Sequence, residues 1–114
     1  MLFPSNRYGS TELSALLVHF AHLRSQLAMM EADIGLGGLS GEEIDVICAV
    51  VEVAGLKGAA VVTSLREHPL CSRLSKPTFY RALSRLIDKR FLRKDGGERS
   101  GLYRIQLDRF GGSE

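Results

Sequence analysis

Residues 74–94 decide the fold assignment, and they read LSKPTFYRALSRLIDKRFLRK. Ser75 is a residue type that caps helix N-termini, and Pro77 is tolerated in a first turn because a helix leaves its first N–H groups unbonded. The apolar residues that follow recur at three- and four-residue spacing, so we predict a helix over about 75–89. Its expected buried face consists of Phe79, Leu83, Leu86 and Ile87.

After this helix the pattern changes to that of a β-hairpin. Residues 91–95 and 102–107 combine apolar and polar side chains in partial alternation, which is typical of strands. Between them, residues 96–101 read GGERSG, a composition that favours a tight turn. We therefore predict a hairpin, or wing, over about 92–107, followed by a flexible tail over 108–114.

Two further helices are predicted upstream of this stretch. Ser40 and Glu43 have the spacing of a capping box, which starts a helix that ends near Gly55. The next helix is expected over about 60–67 and ends before Pro69, which cannot continue it. The residues of the earlier helix expected in the core are Ile44, Ile47, Cys48 and Val51.

A long apolar seam is predicted near the N-terminus. Apolar residues recur over 13–34 at alternating spacings of three and four, the heptad pattern of helices that pack along their length. After an irregular lead-in over 1–9, we expect one helix over 10–35, which the glycines at 35–38 end. A helix this long exceeds what a small domain needs to cover its core, so we predict that it pairs two chains; packing within one chain is the alternative. The residues expected at the dimer contact are Leu13, Leu16, Phe20, Leu23, Leu27 and Met30.

The order of these elements and the sequence at 74–94 resemble the winged helix-turn-helix of bacterial MarR-like transcriptional regulators. The resemblance covers roughly residues 10–107. It implies a mainly α fold with a β-hairpin (α+β), in which a long N-terminal dimerisation helix precedes a DNA-binding domain over 39–107. It also implies a homodimer on a pseudo-palindromic double-stranded DNA site. MarR-like proteins usually dimerise through helices at both ends, and almost nothing follows the wing here, so the first helix is expected to form most of the contact.

The charge distribution supports a nucleic-acid partner. Residues 1–60 carry a net charge of −4, whereas residues 61–114 carry +6. Within 72–94 there are eight basic residues and one acidic residue, a local charge of +7. Charge separation of this kind indicates a partner of opposite charge, most often nucleic acid.

Specific residues of the 75–89 helix are candidates for DNA contact. Arg81 and Arg85 lie one turn apart on its outer face, and arginine can donate two parallel hydrogen bonds to guanine in the major groove. Tyr80 and Ser84 are secondary candidates for base or phosphate contact. Near the helix start, side-chain donors and the positive end of the helix dipole favour phosphate. These phosphate-contact candidates are Ser75, Lys76 and Thr78.

The predicted wing supplies a second set of cations. Arg93, Lys94 and Arg104 are expected to flank the DNA backbone. The resemblance places the family's minor-groove arginine at Arg99, at the tip of the hairpin. A salt bridge from this arginine to Asp95 or Glu98 is the alternative.

No catalytic site is recognisable in the sequence. We find no set of nucleophile, base and orienting group, and no metal-ligand spacing, so we expect no enzymatic activity, no metal and no cofactor. There is no secretory signal pattern and no apolar run of about 20 residues, so no membrane association is expected. Two cysteines fit a reducing compartment, and we expect a cytoplasmic, nucleoid-associated bacterial protein.

Several functional alternatives stay open at this point. A winged helix can instead dock an acidic protein partner through its basic face, or serve as a replication-associated module. Cys71 lies between His68 and Arg73, where nearby cations would lower its pKa and suit a redox sensor. The operator sequence and any small-molecule effector are not determined by the residues.

Overall fold

A computed structural model describes residues 9–97 and 99–111. The helices are α1 (Ser10–Ile34), α2 (Gly41–Ala54), α3 (Val62–Glu67), α4 (Pro69–Ser72) and α5 (Lys76–Asp88). The strands are β1 (Ala59–Val61), β2 (Leu92–Asp95) and β3 (Leu102–Ile105), and a 3-10 turn follows at Leu107–Arg109. The chain is therefore mainly helical with a small antiparallel sheet, which confirms the predicted α+β class.

The sheet contains a strand that the sequence did not predict. Its order is β1-β3-β2, with Ala60 paired to Tyr103 and Lys94 paired to Tyr103 on the other side. The expected start of the third helix at residue 60 is wrong, because residues 59–61 are extended and α3 begins at Val62. Ala60 is buried, so pairing with β3 outweighs the local helical pattern.

The core is built around α2, against which α3, α4, α5, β1 and β3 all pack. The predicted capping box is confirmed: Ser40 Oγ accepts from the Glu43 backbone N–H at 3.2 Å, and Glu43 Oε1 accepts from the Ser40 N–H at 2.9 Å. The predicted buried stripe of α2 is only partly right, since Val51 is 36% exposed. Residues 46–51 are all apolar, so periodicity alone cannot select the inner side. The apolar residues that α2 buries are Val46, Ile47, Ala49 and Val50, whereas Ile44 and Cys48 are half-buried.

Helix α5 has the inner face that its sequence predicts. Phe79, Leu83 and Leu86 are buried, with Ile87 half-buried beside them. The helix ends in a Schellman motif: the Phe91 N–H donates to the Leu86 carbonyl at 2.9 Å. Residue 90 is the left-handed position of this motif.

The connection between α3 and α5 contains the single turn of α4. Pro69 starts this turn, and the His68 Nδ1 atom accepts from the Leu70 N–H at 3.1 Å. Cys71 is fully buried there, and its burial raises the pKa of the thiol to about 11, with Asp45 adding to the shift. The interpretation of Cys71 as a low-pKa redox sensor is therefore wrong, because desolvation outweighs the nearby cations.

Helix α1 makes little contact with the rest of the chain. It is 25 residues long, about 37 Å, and buries none of its side chains. It ends at Gly35, whose φ of 93° is left-handed. A Cβ at this position would also collide with the backbone of Gly111, so glycine is required both by the turn and by the close approach.

The segment after β3 packs on the domain, in contrast to the flexible tail predicted from residue 108. Phe110 lies edge-on to Phe91 with ring centroids 5.0 Å apart, and the Gly111 N–H donates to the Ile34 carbonyl at 2.6 Å. This contact ties the end of α1 to the end of the sheet. Residues 112–114 and most of the predicted lead-in, residues 1–8, lie outside the described part of the chain.

Candidate nucleic-acid interface

The outer face of α5 collects most of the predicted DNA-contact residues. Because the opposite face of the helix packs on α2, the remaining positions face solvent. Tyr80 is 41% exposed, and its ring stands edge-on to Phe79 with centroids 5.1 Å apart, which restricts where the phenol can point. The predicted residues that are exposed on this helix are Lys76, Tyr80, Arg81, Ser84 and Arg85.

The start of α5 contains two linked hydroxyl groups. Ser75 Oγ accepts from the Thr78 N–H at 3.2 Å and donates to Thr78 Oγ1 at 2.8 Å. A serine hydroxyl carries one proton, so Ser75 acts here as a helix cap rather than as a phosphate donor. The hydroxyl proton of Thr78 is left to donate to a ligand. Of these two predicted phosphate contacts, the geometry favours Thr78.

Arg81 and Arg85 line one shared polar cleft of about 220 Å³ between α5 and the start of α2. Ser40 and Glu42 contribute the α2 side of this cleft. Among the residues that the structure describes, neither arginine forms an ion pair within 4.0 Å. Both guanidinium groups therefore keep their donors available, in a polar setting that also contains a carboxylate.

A partly buried ion pair fixes α5 against α2, and sequence reasoning missed it. Glu43 is 2% exposed, and its carboxylate accepts from Lys89 Nζ at 3.0 and 3.2 Å. Desolvation raises the pKa of Glu43, but the Ser40 N–H, Lys89 and Arg85 together outweigh it, and the pKa is lowered overall. The capping box signalled that Glu43 accepts from Ser40, but no sequence signal indicated its partner 46 residues later.

Among the described residues, two of the eight cations of the basic segment form ion pairs with carboxylates of α2. Lys89 pairs with Glu43, and Arg73 pairs with Asp45. The charge available to a ligand is therefore smaller than the local +7, and Lys76, Arg81 and Arg85 on the exposed outer face of α5 contribute to it.

The hairpin presents the second predicted set of cations. Arg93, Lys94 and Arg99 are exposed, and Lys94 Nζ lies 5.9 Å from the centre of the Tyr103 ring. Gly96, Gly97 and Gly101 have φ values between 65° and 99°, so the tip adopts turns that other residues reach only with strain.

Arg104 does not belong to this set, contrary to the expectation that it flanks DNA. Its Nη2 atom donates to Asp95 Oδ2 at 2.7 Å, and its Nη1 atom donates to the Lys57 carbonyl. The hydrogen bond from Arg104 holds the pKa of Asp95 below its usual range. Among the described residues, no ion pair within 4.0 Å joins Asp95 to Arg99, and Glu98 lies outside the described residues.

Within residues 9–97 and 99–111, no group of three or more His, Cys, Asp and Glu side chains is arranged to hold a metal ion. None of the helices in the same part of the chain is both long and apolar enough to cross a bilayer. No family model matches the chain, and searches of curated proteins and of solved structures found no match either.

Proposed function

We propose that this protein is a sequence-specific double-stranded DNA-binding transcriptional regulator that acts as a homodimer. In this proposal α3, α4 and α5 form the helix-turn-helix of a winged helix similar to MarR-like regulators, and the β2–β3 hairpin is its wing. Helix α5 enters the major groove, which is wide enough for one α-helix, and the hairpin tip lies at the minor groove.

One observation carries the proposal. Helix α5 places Lys76, Arg81 and Arg85 on a solvent-facing side, with no ion-pair partner among the described residues. Arginine and lysine that fold stability does not occupy are free to neutralise phosphates and to read guanine. The rigid support of α5 by the Glu43–Lys89 pair fits the same role, since base readout requires a fixed helix position.

The homodimer rests on the exposed seam of α1. Seven apolar side chains of this helix are 40–58% exposed, along a stripe about 32 Å long. Contiguous apolar surface of this extent on a soluble protein indicates an interaction site. A second copy of the same stripe is complementary in length and chemistry, and a two-fold dimer matches a pseudo-palindromic site.

The proposal is tested by selecting bound sequences from random duplex DNA and titrating the selected duplex with salt. Binding should weaken steeply with salt, by about 0.9 log units per log unit of salt for each phosphate contact. Arg81→Ala or Arg85→Ala should weaken specific binding by about 5- to 150-fold, the range for loss of one bidentate base contact, with a smaller effect on random DNA. Arg93→Ala should weaken both equally.

Lys57→Ala is the matched control for lost charge. Lys57 precedes β1 at the end of the sheet away from the hairpin tip, so its removal should leave specific affinity unchanged. Equal losses for Arg81→Ala, Arg85→Ala and Arg93→Ala would refute the assigned roles. Absence of duplex binding at low salt would refute the proposal and would favour docking of a protein partner or a replication-associated module.

A further inference from the structure

An open apolar groove lies where α1 joins the rest of the molecule. Its volume is about 370 Å³. Cys48 and Val51 of α2 form part of its wall, which explains why these two apolar residues do not face the core. The residues that line the groove are Ile34, Leu36, Ile47, Cys48, Val51, Glu52, Leu56, Ile105, Leu107 and Phe110.

The groove is continuous with the exposed seam of α1. Ile34 is the last residue of the seam and also lines the groove. Leu36 and Phe110 extend the apolar surface from there onto the body of the domain. An apolar helix that packs along the seam and passes Ile34 therefore enters the groove without meeting a polar boundary.

The lining favours apolar side chains as the occupant. Small-molecule sites place a few polar groups that orient the ligand. Glu52 is the charged residue of this lining, and its carboxylate is already engaged by His68 Nε2 at 2.7 Å. The other lining side chains can contribute little beyond apolar contact and the Cys48 thiol, which suits leucine-like side chains from a helix.

We propose that the groove receives the N-terminal part of α1 from a second copy, in an antiparallel pair. The inference rests on the proposed homodimer and adds the direction and register of its helices. It commits to one occupant for the groove, the partner's residues 13–17, and so makes the groove part of the dimer interface.

Charge distribution favours the antiparallel direction. The last nine residues of α1 contain Glu31 and Asp33 and no basic residue, and Glu52 lines the groove itself. A parallel pair would bring two such acidic ends together. The first sixteen residues contain one acid and one arginine, with His19 and His22 between them. An antiparallel pair places this half against the acidic end.

The heptad pattern selects one register. In the heptad, Phe20, Leu27 and Ile34 occupy a positions, and Leu16, Leu23 and Met30 occupy d positions. Aligning Ile34 with the partner's Leu16 continues every apolar layer along the seam, because each a position then meets a d position of the partner. Leu13 lies beyond the last layer and reaches the partner's groove near Leu36. The layers formed with the partner are Leu16–Ile34, Phe20–Met30 and Leu23–Leu27, each occurring twice in the dimer.

The flanking charges agree with this register. This register brings His19 beside the partner's Asp33. It also brings Arg24 close to the partner's Arg24 at the two-fold axis, but these long exposed side chains can move apart into solvent. The register shifted by one heptad would instead bring Glu12 beside the partner's Asp33 and leave the groove empty. The two acids in that arrangement repel one another at both ends of the dimer.

The groove contains a native cysteine, which allows a direct cross-linking test in the full-length chain. Leu16→Cys, and separately Leu17→Cys, which flanks the seam and leaves its layers intact, should form a covalent dimer with a short thiol-specific cross-linker. Peptide mapping of the covalent dimer should then identify a cross-link between position 16 or 17 of one chain and Cys48 of the other. Cys71 needs no replacement, because it is fully buried and its pKa is raised to about 11.

Met30→Cys is the control, since the antiparallel register places Met30 beside the partner's Phe20 and about 20 Å along the helix from the partner's groove. It should give no more covalent dimer than the wild-type protein. A Val51→Asp substitution in the groove should dissociate the dimer in light scattering, although it leaves α1 unchanged.

Three outcomes overturn the inference. A cross-link between the two copies of position 30, in Met30→Cys, or of position 16, in Leu16→Cys, would show a parallel pair. If such dimers still bind the selected duplex, only the inferred helix direction fails and the proposed function stands. Dimers that form no 16–48 or 17–48 cross-link would show that the groove lies outside the contact. A monomer in light scattering would overturn both the inference and the proposed homodimer.

Discussion

The pair formed by Glu43 and Lys89 gives the sharpest test of how the DNA-contact helix is held. Glu43→Ala removes the acceptor for the Ser40 N–H, which is 2.9 Å away, and the partner of Lys89 Nζ, at 3.0 and 3.2 Å. Because the first contact caps α2 and the second joins α2 to the end of α5, we expect the substitution to lower the free energy of unfolding and to loosen the end of α5.

The expected destabilisation by Glu43→Ala is estimated from the two contacts that it removes. Loss of the N-cap contact should cost about 1 kcal/mol. The charge-assisted bonds from Lys89 would contribute about 1.5–3 kcal/mol if fully buried, and we take the lower end because 39% of the Lys89 side chain is exposed to screening solvent. Glu43→Ala should therefore destabilise the protein by about 2–3 kcal/mol. Lys89→Met, which leaves the carboxylate buried with Ser40 alone, should cost about 2 kcal/mol.

The measurement is urea unfolding followed by circular dichroism at one protein concentration, since dimerisation makes stability concentration-dependent. The double-mutant cycle of Glu43→Gln and Lys89→Met isolates the coupling, which should be at least about 1 kcal/mol near neutral pH. Glutamine retains the bond from Ser40, so it is the matched control for the cap.

The contribution of Glu43 to the free energy of unfolding changes with pH in a defined direction. The pKa of Glu43 is lowered in the folded protein, so its stabilising effect is fully present above the unfolded-state pKa. The advantage of the wild-type protein over Glu43→Gln should therefore persist at neutral pH and disappear as the pH falls below about 4.3 and through the lower folded-state value. A coupling below about 0.3 kcal/mol, or an advantage that does not change over this pH range, would refute the reasoning.

Three further outcomes are expected. Arg90 has a φ of 71°, so Arg90→Gly should raise stability by about 0.5–1 kcal/mol in the same unfolding assay, whereas Arg90→Ala, which keeps the strain and removes the charge, should not. Phe110→Ala should lower it by about 2 kcal/mol through loss of the edge-on contact with Phe91; an unchanged value would show that residues 108–111 contribute nothing. Cys71 should stay unlabelled by thiol reagents at about pH 8 until the chain unfolds, and labelling of the folded protein would contradict its burial.

The features that the sequence predicted correctly depend on neighbouring residues. The start and inner face of α5 follow from Ser75 and the apolar spacing after it, and the Ser40–Glu43 capping box closes over three residues. The hairpin follows from glycines in the turn itself, at residues 96–101. In each case the determining contacts lie within about one helical turn or one β-turn, so the local pattern contains the necessary information.

The candidate interface was predictable as a set of cations but not as a set of available charges. Helical spacing placed Arg81 and Arg85 on the outer face of α5. Their availability, and the neutralisation of Lys89 and Arg73 by carboxylates of α2, depend on contacts that span 28 or more residues. The amino-acid composition counts all of these cations equally, because it does not show which of them lie beside carboxylates in the folded chain.

The sequence by itself determined the α+β class, the order of most elements and the position of the basic helix. Only the tertiary structure decided that residues 59–61 form a strand, which side of α2 is buried, and that Phe110 packs on the domain. It also left the seam of α1 without a covering surface and placed a groove at its end. The physical reason is common to these features: burial and strand pairing are set by partners distant in sequence, whose contact energies exceed the local conformational preferences of about 1 kcal/mol per residue or less.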